Sequence, residues 1–203
     1  MKTGLFIASL LLALSTQLNA AGINLVVNGS FENPDIAAGS WSVHQAINGW
    51  STSGSGVEVR DNVAGTAYDG SQFVELDSHS NSGIYQNFTT GLGQAYLLSF
   101  AYSPRINVAS NSNKIKVLWN GRRVDTVTAQ GGSSHDWTIF EYIVYGTGLD
   151  TLGFRAVGRN DSYGGSLDKV SLSAIPIPAA AFLFAPALLG LIGIRRKARN
   201  TIT

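Results

Sequence analysis

The side chains that could move a proton near neutrality are three histidines: His44 in WSVHQAINGW, His79 in LDSHSNSG and His135 in GGSSHDW. Ser134, His135 and Asp136 supply the letters of a nucleophilic triad, but consecutive residues cannot converge as nucleophile, base and orienting acid, which must come from separate elements. There is no GxSxG elbow and no HExxH pair. Glu58, Glu75, Asp77 and Glu141 are carboxylates of the type a glycosidase pairs across a scissile bond, yet nothing in their spacing selects a pair. The expectation is a protein that is not an enzyme, with a small glycan-active hydrolase or lyase as the catalytic alternative.

Binding chemistry has more material. Sugar rings have apolar faces and polar rims, so a carbohydrate site needs exposed aromatic platforms beside hydrogen-bonding groups. Trp41, Trp50, Tyr68, Tyr85, Tyr102 and Tyr163 are the candidate platforms, and Arg60, Arg105, Gln86 and Arg155 the candidate partners. Trp50 follows Asn48-Gly49 and Tyr163 sits in DSYGG, so these two are expected to be exposed. With Tyr68 and Arg60 they form the expected carbohydrate-binding set. The competing reading is that aromatics in strands belong to a core.

The elements that must hold these residues are strands. Apolar residues alternate with period two at Val57–Arg60, Gln72–Leu76, Tyr96–Tyr102 and Thr138–Val144. In KIKVLWNGRRVDTVTA, Ile115, Val117 and Trp119 alternate into Asn120-Gly121, a pair suited to the positive backbone angles of a tight hairpin. Asn24–Val27, Ile84–Thr89, Thr151–Val157 and Leu167–Leu172 bring the total to nine or ten strands. No segment has the pattern of an amphipathic helix. So many short strands in one domain, 22–173, predict a two-sheet β-sandwich with jelly-roll topology.

Charge and composition remove other classes. Five of the 14 basic residues, Lys2, Arg195, Arg196, Lys197 and Arg199, lie at the ends. The body between them holds nine basic against 13 acidic residues, a net charge of −4, which argues against nucleic-acid binding. There is no cysteine. The opening MKTGLFIASLLLALSTQLNA has the basic start, apolar middle and small-residue close of a secretory signal peptide over 1–20. An exported, cysteine-free chain must draw its stability from core packing, from sheet hydrogen bonds and, where it binds one, from a metal ion.

NLVVNGSFENP (24–34), Asn48-Gly49-Trp50, DGSQFVELD (69–77) and SLDKVSL (166–172) together resemble the galactose-binding-like jelly rolls. Among these the pattern is similar to plant cell-wall domains and to xylan- and glucan-binding carbohydrate modules. The resemblance implies a structural Ca²⁺ held by Glu32, after the first strand, and Asp168, in the last, with backbone carbonyls completing the shell. Without a metal, the same two residues would be turn or edge groups bonded to the backbone.

The C-terminal stretch IPIPAAAFLFAPALLGLIGIRRKAR is built differently from the body. It has 17 uncharged residues from Pro178 to Ile194, long enough for a stretched transmembrane helix, followed by the basic stop 195–199. Ile175, Pro176, Ile177, Pro178 and Ala179, the apolar run, and the stop opened by Arg195 and Arg196 resemble the VPLPA-type variant of the PEP-CTERM sorting signals (174–199). That resemblance implies an exosortase as processing partner, a membrane intermediate and a final place at the cell surface or outside a Gram-negative cell. The combined expectation is a sorted, non-catalytic protein that binds or organises polysaccharide. The alternative is a structural or adhesion matrix protein without sugar binding.

Overall fold

The computed structural model describes residues 22–176. The expected leader 1–20, the helix 178–194, and Ile177, Pro178, Ala179, Arg195 and Arg196 lie outside the described residues. Among the described residues no helix is long and apolar enough to cross a membrane.

Among the described residues twelve strands run in chain order: β1 (Trp41–His44), β2 (Ala46–Ile47), β3 (Trp50–Ser53), β4 (Val57–Asp61), β5 (Gln72–Glu75), β6 (Gly83–Thr89), β7 (Ala95–Ser103), β8 (Ile115–Trp119), β9 (Arg122–Val127), β10 (Thr138–Tyr145), β11 (Leu149–Ala156) and β12 (Ser166–Ala174). They form two six-stranded sheets, β1-β4-β5-β12-β7-β10 and β2-β3-β6-β11-β8-β9, in which every pairing is antiparallel. The all-β sandwich read from the alternating pattern is thus the fold observed.

Asn24–Val27 is not a strand. Asn24 makes one isolated bridge to Ser173, Leu25 donates its amide to the Leu172 carbonyl, and the Asn24 Oδ1 accepts the amides of Val26 and Leu172, so a side chain supplements a short backbone pairing there. In return, β1, β2 and β3 are strands that the alternation did not single out; their polar composition hides a half-covered edge. The β8–β9 hairpin turns on Asn120 (φ 53°) and Gly121 (φ 72°), both left-handed, as the Asn-Gly pair requires.

The core lies between the sheets. Leu98, Phe100 and Tyr102 of β7 face Ile115, Val117 and Phe154 from the other sheet. Phe100 meets Phe154 edge-on at 5.0 Å between ring centroids. Trp50 belongs to this core. It is only 3% exposed, packs on Phe31 and Phe154, and donates its indole N–H to the Asn28 carbonyl. The exposure expected of Trp50 from its loop-like neighbours is therefore wrong: Asn48-Gly49 turns the chain so that the indole points inward. Tyr102 is buried too, with its hydroxyl donating to the Asn113 carbonyl.

Candidate functional site

Strands β4 and β5 are buried along their whole length, although only alternate residues reach the core. Val57, Val59 and Val74 point inward. Glu58, Arg60, Phe73 and Glu75 therefore lie on the outer face, because successive side chains alternate across a sheet. What covers that outer face is the candidate site.

Register sets its electrostatics. Glu58 stands directly opposite Glu75 and Arg60 opposite Trp41, and directly opposed residues share a face. Two carboxylates facing each other would repel. Arg60 offsets this by donating to Glu58, with its Nε 3.3 Å from Glu75 Oε2, and Arg105 donates to the same Glu75 oxygen. The Gly164 amide donates to Glu75 Oε1 at 2.8 Å. Burial pushes the Glu75 carboxyl up to about 7, while Arg60 and Arg105 pull it down.

Above this charged floor stand two aromatic walls. The Arg60 guanidinium lies 5.6 Å from the Trp41 ring centroid, and that of Arg105 lies 4.8 Å from the Tyr163 ring centroid. Each ring is about half exposed, 50% for Trp41 and 48% for Tyr163. Trp41, Tyr163, Arg60, Arg105, Glu58, His79 and Asp161 bound a cavity of about 300 Å³. Tyr163, Arg105 and Asp161 also bound a second cavity of about 570 Å³, with Ile106 and Val108. Tyr163 thus stands between two neighbouring hollows.

Arg105 is positioned by the segment that follows β7. Its amide donates to Asn113 Oδ1 at 3.0 Å, and its carbonyl is approached so closely by Gly131 that a Cβ there would lie 1.8 Å from the oxygen. The β9–β10 connection then folds over the outer face. The His135 ring packs edge-on to Phe73 at 4.9 Å, and its Nδ1 lies 3.0 Å from the Thr66 carbonyl, which also accepts the Trp137 indole N–H at 2.9 Å. Burial lowers the His135 pKa, which favours the neutral imidazole. The ring also packs edge-on to Trp137 at 5.1 Å, and its Nε2 lies 3.5 Å from Ser166 Oγ. His44 bonds Ser42 Oγ at 2.7 Å on the edge strand.

Of the expected carbohydrate set, Arg60 and Tyr163 share one cavity. Trp50 is in the core. Tyr68 stands apart, 42% exposed against Trp137 and Lys169, at a different hollow of about 390 Å³ with Asp69, Ile139 and Ser171. Trp41 and Arg105, only in the wider candidate group, line the cavity that Arg60 and Tyr163 share. Gln86 is structural, accepting from the Val27 amide and donating to the Val27 and Gly49 carbonyls.

Glu32 and Asp168 hold the same loop between β4 and β5. Glu32 accepts from the Ser71 amide, the Ser71 hydroxyl and the Gln72 amide, and Asp168 from the amides of Tyr68, Asp69 and Lys169. A carboxylate offers about four lone-pair directions, so about one remains on each. Burial pushes Asp168 up to about 7 against those amide donors. Among the described residues no three His, Cys, Asp or Glu side chains converge as a metal cage. A cation here would take most of its shell from carbonyl oxygens.

No protein-family model matches this chain. It is 32% identical over 152 residues to a multifunctional-autoprocessing repeats-in-toxin protein of Vibrio vulnificus, covering 72% of this chain and 3% of the toxin. The corresponding protein of Vibrio cholerae serotype O1 is 30% identical over 150 residues, again 72% of this chain and 3% of the toxin. The chain therefore spans about 3% of the length of the curated relatives it matches. Among solved structures, TmCBM61 in complex with β-1,4-galactotriose matches with a TM-score of 0.50 and 20% identity, over 75% of this chain and 99% of that one. At that identity the likeness is one of fold alone, a two-sheet jelly roll.

Proposed function

We propose that this chain is a non-catalytic, polysaccharide-binding protein whose groove runs past Trp41 and Tyr163 on the outer face of the first sheet. One observation carries the reading. Two half-exposed aromatic rings each have a guanidinium seated at the ring, above a floor of buried, mutually paired charges. A ring held in this way offers a flat apolar face with little entropy left to lose, and stacking a pyranose on it needs just that. The fold shared with a module crystallised with a galactotriose agrees with this. Glu58 and Glu75 are 4% and 1% exposed and bound to arginines, so neither reaches a glycosidic oxygen, which supports binding over hydrolysis.

The finer parts of the proposal come from the chain ends. Export by the leader, a membrane stage through 178–194, processing by an exosortase and a final place on the cell surface or outside rest on the sequence pattern there. Ile175, the first residue of the proposed motif, donates its amide to the Ala95 carbonyl and accepts from Gln94 Nε2. A structural Ca²⁺ at Glu32 and Asp168 is also part of the proposal. Calorimetry on a Glu32→Ala/Asp168→Ala double variant tests it.

The central test is a glycan array with the purified protein, followed by calorimetry on whichever oligosaccharide binds. Binding that weakens in Tyr163→Ala and Trp41→Ala supports the reading. A folded protein that binds no glycan favours a matrix or adhesion role, and release of reducing ends from polysaccharide would make it an enzyme.

A further inference from the structure

Beside the groove, the β5–β6 loop meets the β11–β12 loop, and there three side-chain oxygens are shielded from solvent with no hydrogen-bond partner: Asp77 Oδ1, Asn81 Oδ1 and Asp161 Oδ1. Asp77 is wholly buried. Its other oxygen accepts the Asp161 amide at 3.2 Å, and Asp77 forms an isolated bridge with Asn81. The amides of Ser162 and Tyr163 also face the Asp77 carboxylate, but Oδ1 meets none at hydrogen-bond geometry. Asn81 cannot solve its own problem by turning its amide over, because Nδ2 is already committed to the Gly158 carbonyl at 2.9 Å. Asp161 Oδ2 accepts from Ser112 Oγ at 2.8 Å, and the nearest cation, exposed Arg159, is 3.8 Å from that oxygen and leaves Oδ1 unmatched.

Buried acceptors without donors lose their full hydration. One water donates only two hydrogens, and it brings no charge to two neighbouring carboxylates. We propose that Asp77, Asn81 and Asp161 form a hard-cation site, best suited to Ca²⁺, that staples the β5–β6 loop to the β11–β12 loop. The donors are all oxygens, which selects against zinc and copper, and irregular loops rich in carbonyls suit the flexible shell of Ca²⁺ better than the strict octahedron of Mg²⁺. The loops already touch at backbone level, since a Cβ on Gly164 would lie 3.0 Å from that of Asp77. Asp161 lines both hollows beside Tyr163, so the ion would also fix that wall; this consequence alone rests on the glycan-binding reading.

The test is amide hydrogen exchange on the purified protein, with EDTA and with about 10 mM CaCl₂. Loop-held Ca²⁺ sites outside cells have dissociation constants of about 10⁻⁴–10⁻³ M, so local opening at 77–81 and 158–163 slows by about ten- to a hundredfold. Asp161→Asn and Asn81→Ala abolish that slowing, whereas Glu32→Gln leaves it. Unchanged exchange in both loops of the wild-type protein would mean that water alone serves these oxygens, and would overturn the proposal. So would slowing that survives Asp161→Asn. Neither result requires a glycan, so failure here and failure of glycan binding are told apart.

Discussion

Truncating Tyr163 to alanine probes the groove at the point where both hollows meet. An aromatic side chain presents about 150–250 Å² in all, and Tyr163 is 48% exposed, leaving about 100 Å² for a ligand. At about 25 cal/mol per Å² the ceiling on what stacking there contributes is ~2.5 kcal/mol. A pyranose covering about half of that area leaves ~1.2 kcal/mol, so affinity should fall by roughly 8- to 60-fold. Stability should change little, because the attraction between Arg105 and this partly exposed ring contributes about 0.5–1 kcal/mol, a Tm shift of about 1–4 °C. Calorimetric titration of the array-selected oligosaccharide measures the first quantity and thermal melting the second. Tyr85→Ala is the control, since Tyr85 is 39% exposed on β6, in the other sheet. If Tyr163→Ala binds within twofold of the wild type, or Tyr85→Ala loses as much, the groove is misplaced.

Trp50→Ala should destabilise the fold by about 3–5 kcal/mol, read by urea denaturation, and any glycan-binding loss should track the unfolded fraction only. Glu75 gives a pH signature. Its folded pKa of about 7 exceeds the 4.5 of the free side chain, so the folded state holds the proton more tightly. Its contribution is then full below pH 4.5, declines by about 1.4 kcal/mol per pH unit up to pH 7, and is flat above. Denaturation between about pH 4.5 and 8 should show that slope reduced in Glu75→Gln; an identical slope in the two proteins would mean that the arginines keep Glu75 ionised throughout. Gly131→Ala places a Cβ 1.8 Å from the Arg105 carbonyl oxygen, so the loop must shift, and both Tm and glycan affinity should drop together.

The sandwich was legible because alternation survives wherever one face is core: β7, β8 and the Asn-Gly hairpin were read from their own residues. Strands β1 to β3 were not, since WSVH, AI and WSTS carry too few apolar residues to show a period. For the candidate site, the sequence offers residue types and not positions. Trp50 and Trp41 have similar polar neighbours, and only the register of β1 against β4, which sets Trp41 beside Arg60, separates a wall from a core residue. Glu58 and Glu75 stand in the sequence as two of four unpaired candidate carboxylates, because sequence does not reveal that Arg60 and Arg105 reach them from β4 and from the segment after β7.

That arrangement also accounts for why so much charge lies under an apolar platform. Glu58, Arg60 and Glu75 would each be costly alone in a buried layer, and removing one partner leaves another uncompensated. Held together, they seat the Arg60 guanidinium against Trp41 and that of Arg105 against Tyr163. A catalytic acid needs the opposite: a carboxyl free to meet the leaving oxygen and to exchange its proton. Here Glu75 already accepts from Arg105 and from the Gly164 amide, and Glu58 from Arg60. The same network that supports the proposed platform therefore keeps Glu58 and Glu75 bonded to arginines, which is what the proposed binding face requires of them.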